Sequence, residues 1–151
     1  MLFRSQAAWY LQRWIAGGQQ GDDDWVQLLP ELLRDVWPRH KVAKSARTSA
    51  RLCDLAFSNP QMFPRIAEIV TELVSRVSDQ HLMLSNLQDE NSAIVTSYPK
   101  QTLSLLSAIL PDDVSKWPHR IEGILSRLAQ ADPSLLKDDR LIELNAKWNS
   151  R

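Results

Sequence analysis

The sequence predicts an all-α fold of seven or eight short antiparallel helices. Three observations carry this prediction: apolar residues recur at helical spacing, three of the four glycines lie within 17–21, and eight prolines punctuate the chain. No sustained alternation of apolar and polar residues indicates a strand. Because short connections place successive helices side by side, pairwise packed hairpins are expected.

The first part of the chain predicts three helices. The first runs from about Phe3 to Ala16 and ends at the glycines of 17–21. The second ends at Trp37-Pro38, with a kink or a delayed start at Pro30. The third covers Lys44 to Ser58 and places one set of small or apolar residues on a single face, namely Ala46, Ala50, Cys53 and Phe57.

Further stripes of apolar residues at helical spacing predict the later helices. A fourth helix follows Phe63-Pro64 and has the most regular apolar stripe, and two short helices are expected near 79–88 and 91–97. After Tyr98-Pro99, the apolar residues spread over about 160° of the helix, so this helix is expected to be the most buried. The last two helices align Ile121, Ile124, Leu125 and Leu128, and then Leu141, Leu144 and Trp148.

Aromatic-proline pairs at 63–64, 98–99 and 117–118 are predicted to open helices, whereas Trp37-Pro38 is predicted to end one. Proline is tolerated in the first turn of a helix because the N–H that it lacks would have no partner there. The pairs are unequally spaced, and strict solenoids hold a period of about 33–47 residues. An irregular HEAT-like stack or bundle is therefore predicted.

Length and composition indicate one soluble domain, residues 1–151. The 18 basic and 18 acidic side chains cancel, so net charge identifies no partner. The single cysteine, Cys53, cannot form an internal disulfide, which favours a reducing compartment. The N-terminal apolar stretch contains Gln6, Gln12 and Arg13, so it is neither a signal peptide nor a membrane span. A cytoplasmic protein is expected.

No catalytic residue, metal ligand or cofactor site is predicted. The chain lacks a glycine-rich phosphate loop and a nucleophile elbow, and its three histidines are scattered. Cys53 lies on an apolar face and is interpreted as a core residue. The acidic groups at 22–24, 112–113 and 138–139 adjoin predicted helix starts, where carboxylates cap free N–H groups. An enzyme whose site has no known motif remains a third class of function.

A basic stretch is one of two candidate contact surfaces. Between 34 and 51 the only acid is Asp35, and the candidate contact residues are Arg39, His40, Lys41, Lys44, Arg47 and Arg51. They could meet an acidic protein surface or the phosphates of a nucleic acid, whose binding would fall steeply with salt. No aromatic residue is interleaved for base stacking, which disfavours nucleic acid. The alternative is a solvated face balanced by acids elsewhere.

Trp9 is the second candidate, because it lies about 120° or more from the apolar stripe of the first helix. An off-stripe tryptophan suits contact with a second copy of the chain, another domain or a protein partner. The alternative is that the last helix covers it. The leading hypothesis is accordingly a non-enzymatic scaffold that binds protein or packs against other domains.

The order of several motifs resembles the helical C-terminal region of large bacterial proteins. The motifs are "AWYLQRWIAGGQQGDDDWVQLLPELLRDVWP", "FPRIAEIVTELV", "YPKQTLSLLSAIL" and "DPSLLKDDRLIELNAKW". In some of those proteins this region follows a sirtuin-like, NAD-handling domain and is linked to anti-phage defence. The resemblance implies a C-terminal module whose Trp9 faces a missing N-terminal domain. It carries no catalytic residue into this chain, because the catalytic part lies in that other domain.

Overall fold

The computed structural model describes residues 46–57, 60–61, 63–74, 84–89, 92–118 and 120–151. This part of the chain is mostly helical and contains no strand, so the all-α prediction is confirmed for it. Its α-helices are α1 (Ala46–Phe57), α2 (Phe63–Leu73), α3 (Ser85–Gln88), α4 (Ala93–Ser97), α5 (Pro99–Ile109), α6 (Ile121–Ala131) and α7 (Asp139–Asn149). The first two predicted helices, 3–16 and the one after 22–24, lie outside the described residues.

Two short 3₁₀ turns connect the last helices. The first (Val114–Lys116) lies between α5 and α6, and the second (Pro133–Lys137) lies between α6 and α7. None of the helices in the described ranges is both long and apolar enough to cross a bilayer.

α5 is the central helix of the described part, because it packs against α1, α2, α4, α6 and α7. This confirms the expectation of neighbours on more than one side. Burial alone does not distinguish it, since α2 has the same length and buries at least as many residues. The one polar residue buried on α5 is Thr102, whose hydroxyl donates to the Tyr98 carbonyl at 2.8 Å. That bond satisfies the hydroxyl within the core.

The predicted apolar stripes coincide with the core. In α2, Ile66, Ile69 and Val70 are buried, and Val74 is buried just beyond the helix end. In α1 the buried set includes Ala50, Cys53 and Phe57, as the predicted face requires. The stripes of the last two helices are buried at Ile121, Ile124, Leu125, Leu128, Leu141 and Leu144, with Trp148 partly buried against the same core.

Two aromatic-proline pairs open helices as predicted. Phe63 is the first residue of α2, and Pro99 is the first residue of α5 after Tyr98. The Phe63 ring is fully buried, with its centroid 5.4 Å from that of Phe57 and 6.1 Å from that of Tyr98. The Phe63 ring therefore joins the start of α2 both to the end of α1 and to the start of α5. Trp37-Pro38 lies outside the described residues.

The prediction for Trp117-Pro118 is wrong, because α6 begins three residues after this pair. The Trp117 indole N–H donates to the Pro111 carbonyl at 2.6 Å, and its ring stacks on Trp148 with centroids 6.2 Å apart. These contacts hold the pair in the connection after the first 3₁₀ turn. The helix starts only after Arg120, whose φ of 64° turns the chain in the left-handed region.

Candidate functional site

The sequence-predicted contact residues lie mostly outside the described part of the chain. This applies to Trp9, Arg39, His40, Lys41 and Lys44. Their role as a contact surface stays a prediction.

Arg47 and Arg51 lie in α1, four residues apart. At 100° per residue their positions fall on the side of the helix opposite the buried Leu52 and Ala56. The half-buried Asp54 falls on the same side as the two arginines. The side of α1 away from the core therefore carries two basic positions and one acidic position.

Cys53 has the chemistry of a core residue. Its side chain is fully buried, and burial, together with the nearby charge of Asp54, raises the pKa of the thiol well above its ordinary value. A thiol held protonated in an apolar environment is a poor nucleophile. The interpretation of Cys53 as a core residue is confirmed.

Three aspartates cap the two 3₁₀ turns and α7. The carboxylates of Asp113, Asp132 and Asp138 each accept a hydrogen bond from the backbone N–H two residues later, at 3.0, 3.1 and 3.0 Å. Hydrogen bonds from Ser115 and Ser134 lower the pKa values of Asp113 and Asp132. Capping is thus confirmed for 112–113 and 138–139, whereas 22–24 lies outside the described residues. Across those residues, no group of three His, Cys, Asp or Glu side chains could hold a metal ion.

Arg140 joins the start of α7 to α5. Its guanidinium donates to both carboxylate oxygens of Asp138, with Nε–Oδ1 at 3.0 Å and Nη2–Oδ2 at 2.7 Å, and also to the Ser104 hydroxyl. The side-chain bond from Arg140, followed by its backbone N–H, lowers the pKa of Asp138 to about 2. Arg140 and Asp138 together hold α7 against the central helix.

We expect Asp138→Asn to lower the free energy of unfolding by about 1 kcal/mol at neutral pH, because Asn keeps the cap but loses the ion pair. A depressed folded-state pKa stabilises the fold above the unfolded value near 4, and that contribution disappears as the pH falls through about 2. Urea unfolding of both proteins from pH 7 to pH 2 should show a difference that is constant above about pH 5 and shrinks below it. Asp139→Asn is the matched control, and an equal difference at both pH extremes would contradict the ion-pair explanation.

A groove of about 360 Å³ lies between α2 and α5. Its α5 wall carries Gln101 and Ser104. Its α2 wall consists of the buried Ala67 together with residues on the more exposed side of that helix, namely Pro64, Glu68, Thr71 and Glu72. Sequence reasoning missed this groove. The i, i+4 spacing of Glu68 and Glu72 could have indicated only the α2 wall of the groove. The α5 wall depends on a contact between separate helices, which that spacing does not specify.

A wider concavity of about 850 Å³ adjoins α3 and α6 and has polar walls. Its most connected side chain is Arg127, whose guanidinium donates to the carbonyls of Leu87 and Asp89 and to that of Gly123. The first two bonds fasten the end of α3 to α6. Arg127 therefore has a structural role in this concavity.

The C-terminal end carries a stack of three side chains, of which only Arg151 is exposed. The Arg151 guanidinium lies 3.6 Å from the centroid of the Trp148 ring, whose other partner is Trp117. Two large apolar side chains nearby in sequence, Leu136 and Ile142, are 59% and 51% exposed. Single exposed apolar residues are common on protein surfaces and by themselves define no site.

Comparison with known proteins gives one similarity. The chain is 28% identical over 120 residues to the uncharacterized protein y4cA of Sinorhizobium fredii (strain NBRC 101917 / NGR234). The match covers 80% of this chain and 10% of that protein, so the similarity concerns a small segment of a much longer polypeptide. No protein-family description matches the chain, and no solved structure resembles it significantly.

Proposed function

We propose that the chain is a non-enzymatic helical scaffold that mediates protein–protein or interdomain contacts, as the regulatory or sensor module of a bacterial defence protein. Its contact residues are Trp9 as an apolar anchor and the basic stretch from Arg39 to Arg51. The proposal rests on the similarity to y4cA, because most of this chain matches only a tenth of that longer protein. Such a segment is the size of one domain among several.

The chemistry of the described side chains supports this proposal. Several polar side chains of the described part hold helical elements in place, namely the capping aspartates, Arg127 and Arg140. The one thiol is buried and held protonated, in keeping with a cytoplasmic protein whose cysteine serves packing. The defence role rests on the motif resemblance alone.

The test is affinity capture of partners from the native host with the full chain and with Trp9→Ala. We expect Trp9→Ala to recover far less of any specific partner while its melting temperature stays within a few degrees of the parent. The matched control is Leu136→Ala, which removes an exposed apolar side chain elsewhere and should leave capture unchanged.

Two results would overturn the proposal. A Trp9→Ala chain that loses several kcal/mol of stability would make Trp9 a core residue covered by another helix. A parent chain that captures no specific protein, with or without the neighbouring domains of its native polypeptide, would remove the scaffold role itself.

A further inference from the structure

We propose that the concavity adjoining α3 and α6 binds a phosphorylated sugar, whose phosphate lies over Gly123 between Arg120 and Arg127. This inference goes beyond the proposed scaffold function and does not depend on the contact residues of that proposal. It names the class of small molecule that a sensor module of this kind would detect.

The Arg127 guanidinium is half-buried and is bonded only to neutral groups. Its partners are the backbone carbonyls of Leu87, Asp89 and Gly123, the last at 3.3 Å. None of the ion pairs within the described ranges includes Arg127. The three bonds use three of the five N–H donors of a guanidinium. Arg127 therefore carries a positive charge that no described carboxylate pairs, and two of its donors remain for a ligand.

Arg120 brings a second positive charge to the same concavity. Its side chain is exposed, and it makes no hydrogen bond or ion pair with another described side chain. Guanidinium groups bind phosphate oxygens in a bidentate manner, and these charge-assisted bonds are stronger than neutral ones. Glu122 also lines the concavity, so two positive charges there stand against one negative charge. This balance favours an anionic ligand.

Gly123 leaves room for the phosphate between the two arginines. It lies in the first turn of α6, where glycine forms helix less readily than alanine. Its φ is not in the left-handed region, and a Cβ built on it would meet no atom within 4 Å, so neither conformation nor packing requires glycine there. At 100° per residue, Gly123, Arg127 and Gln130 fall within about 60° of one another. A glycine in this row lets a ligand approach the helix closely.

The other side chains of the concavity suit the hydroxyl groups of a sugar. Ser126 and Gln130 are exposed, neither side chain is bonded to a described residue, and with Glu122 they offer both donors and acceptors. Among the described lining residues none is aromatic or large and apolar, so a nucleobase would find no ring on which to stack. The volume of about 850 Å³ is that of a small-molecule site. A phosphorylated sugar is therefore favoured over a nucleotide.

The test is isothermal titration calorimetry of the full chain with glucose 6-phosphate, inorganic phosphate and glucose at millimolar concentrations. We expect saturable binding of glucose 6-phosphate, weaker binding of inorganic phosphate and none of glucose. The affinity for glucose 6-phosphate should fall as salt increases, because the arginines are accessible to solvent ions.

Three variants test the assigned roles. Arg120→Gln should raise the dissociation constant of glucose 6-phosphate at least about ten-fold, because it removes a charged donor. Gly123→Gln should raise it similarly without lowering the melting temperature, because its side chain fills the space of the phosphate and glutamine is the better helix former. Glu122→Gln should lower the dissociation constant, because it removes a negative charge beside the phosphate.

Arg65→Gln is the matched control, since it removes one exposed arginine of α2 outside the concavity and should leave the dissociation constant unchanged. The inference is overturned if neither phosphate compound binds, if Arg120→Gln binds like the parent, or if Arg65→Gln weakens binding equally. Equal affinity for inorganic phosphate and glucose 6-phosphate overturns the assignment of a sugar. Partner capture through Trp9 is measured separately, so a chain that captures a protein but binds no phosphate compound loses only this inference.

Discussion

Phe63→Ala should lower the free energy of unfolding by about 3–5 kcal/mol, one of the largest effects of any single substitution in the described helices. The Phe63 ring is fully buried between Phe57 and Tyr98, so the substitution leaves a cavity where the end of α1 meets the starts of α2 and α5. Because single domains have only about 5–15 kcal/mol of stability, this loss is a large fraction of the total. Urea unfolding monitored by far-UV circular dichroism measures it.

The neighbouring proline provides the control for Phe63→Ala. Pro64 is half-buried in the first turn of α2, and Pro64→Ala should cost at most about 1 kcal/mol, chiefly through greater freedom of the unfolded chain. A similar loss for both substitutions would mean that the motif acts through the rigidity of its proline. A loss below about 1 kcal/mol for Phe63→Ala would show that the ring is not packed as described.

Trp117→Ala should also lower the free energy of unfolding by about 3–5 kcal/mol, because it removes both a packed ring and a hydrogen-bond donor. The substitution removes a ring that is 8% exposed and stacked on Trp148, and it leaves the Pro111 carbonyl without its indole donor. Trp117→Phe separates the two contributions, since it keeps an aromatic ring but loses the donor. Trp117→Phe should lower the free energy of unfolding by about 1–3 kcal/mol.

A double-mutant cycle with Trp148→Ala isolates the stacking term for Trp117. The coupling between the two rings should amount to about 0.5–1.5 kcal/mol, measured by urea unfolding of the two single mutants and the double mutant. Coupling near zero would indicate that Trp117 fastens the connection through its hydrogen bond alone.

Local features of the fold could be predicted from the sequence. The stripes of α2, α6 and α7 follow the helical period closely, and the residues that it selects are buried wherever their side chains are described, except for the partly buried Trp148. The caps at Asp113 and Asp138 could also be predicted, because a carboxylate two residues before a free N–H acts over a short distance. The apolar period and the cap spacing both involve residues within one or two helical turns of each other.

Contacts between distant residues could not be predicted in this way. The bonds from Arg127 to Leu87 and Asp89 span 40 and 38 residues, and the bond from Arg140 to Ser104 spans 36. Nothing in the period of a helix specifies which carbonyl a surface arginine reaches. The same holds for Trp117, because a tryptophan before a proline has the same local signature whether its ring packs on the next helix or on α7. The α2–α5 groove escaped prediction for this reason.

The position of α5 has a consequence for how the described helices lose their structure. In a linear repeat array each unit contacts only its neighbours, so units can melt one after another and arrays can be shortened by whole repeats. α5 contacts helices from both ends of the described part, from α1 to α7. Its unfolding would remove a packing partner from nearly all of them. We therefore expect a single cooperative transition with equal calorimetric and van't Hoff enthalpies, in which no hairpin survives the loss of another.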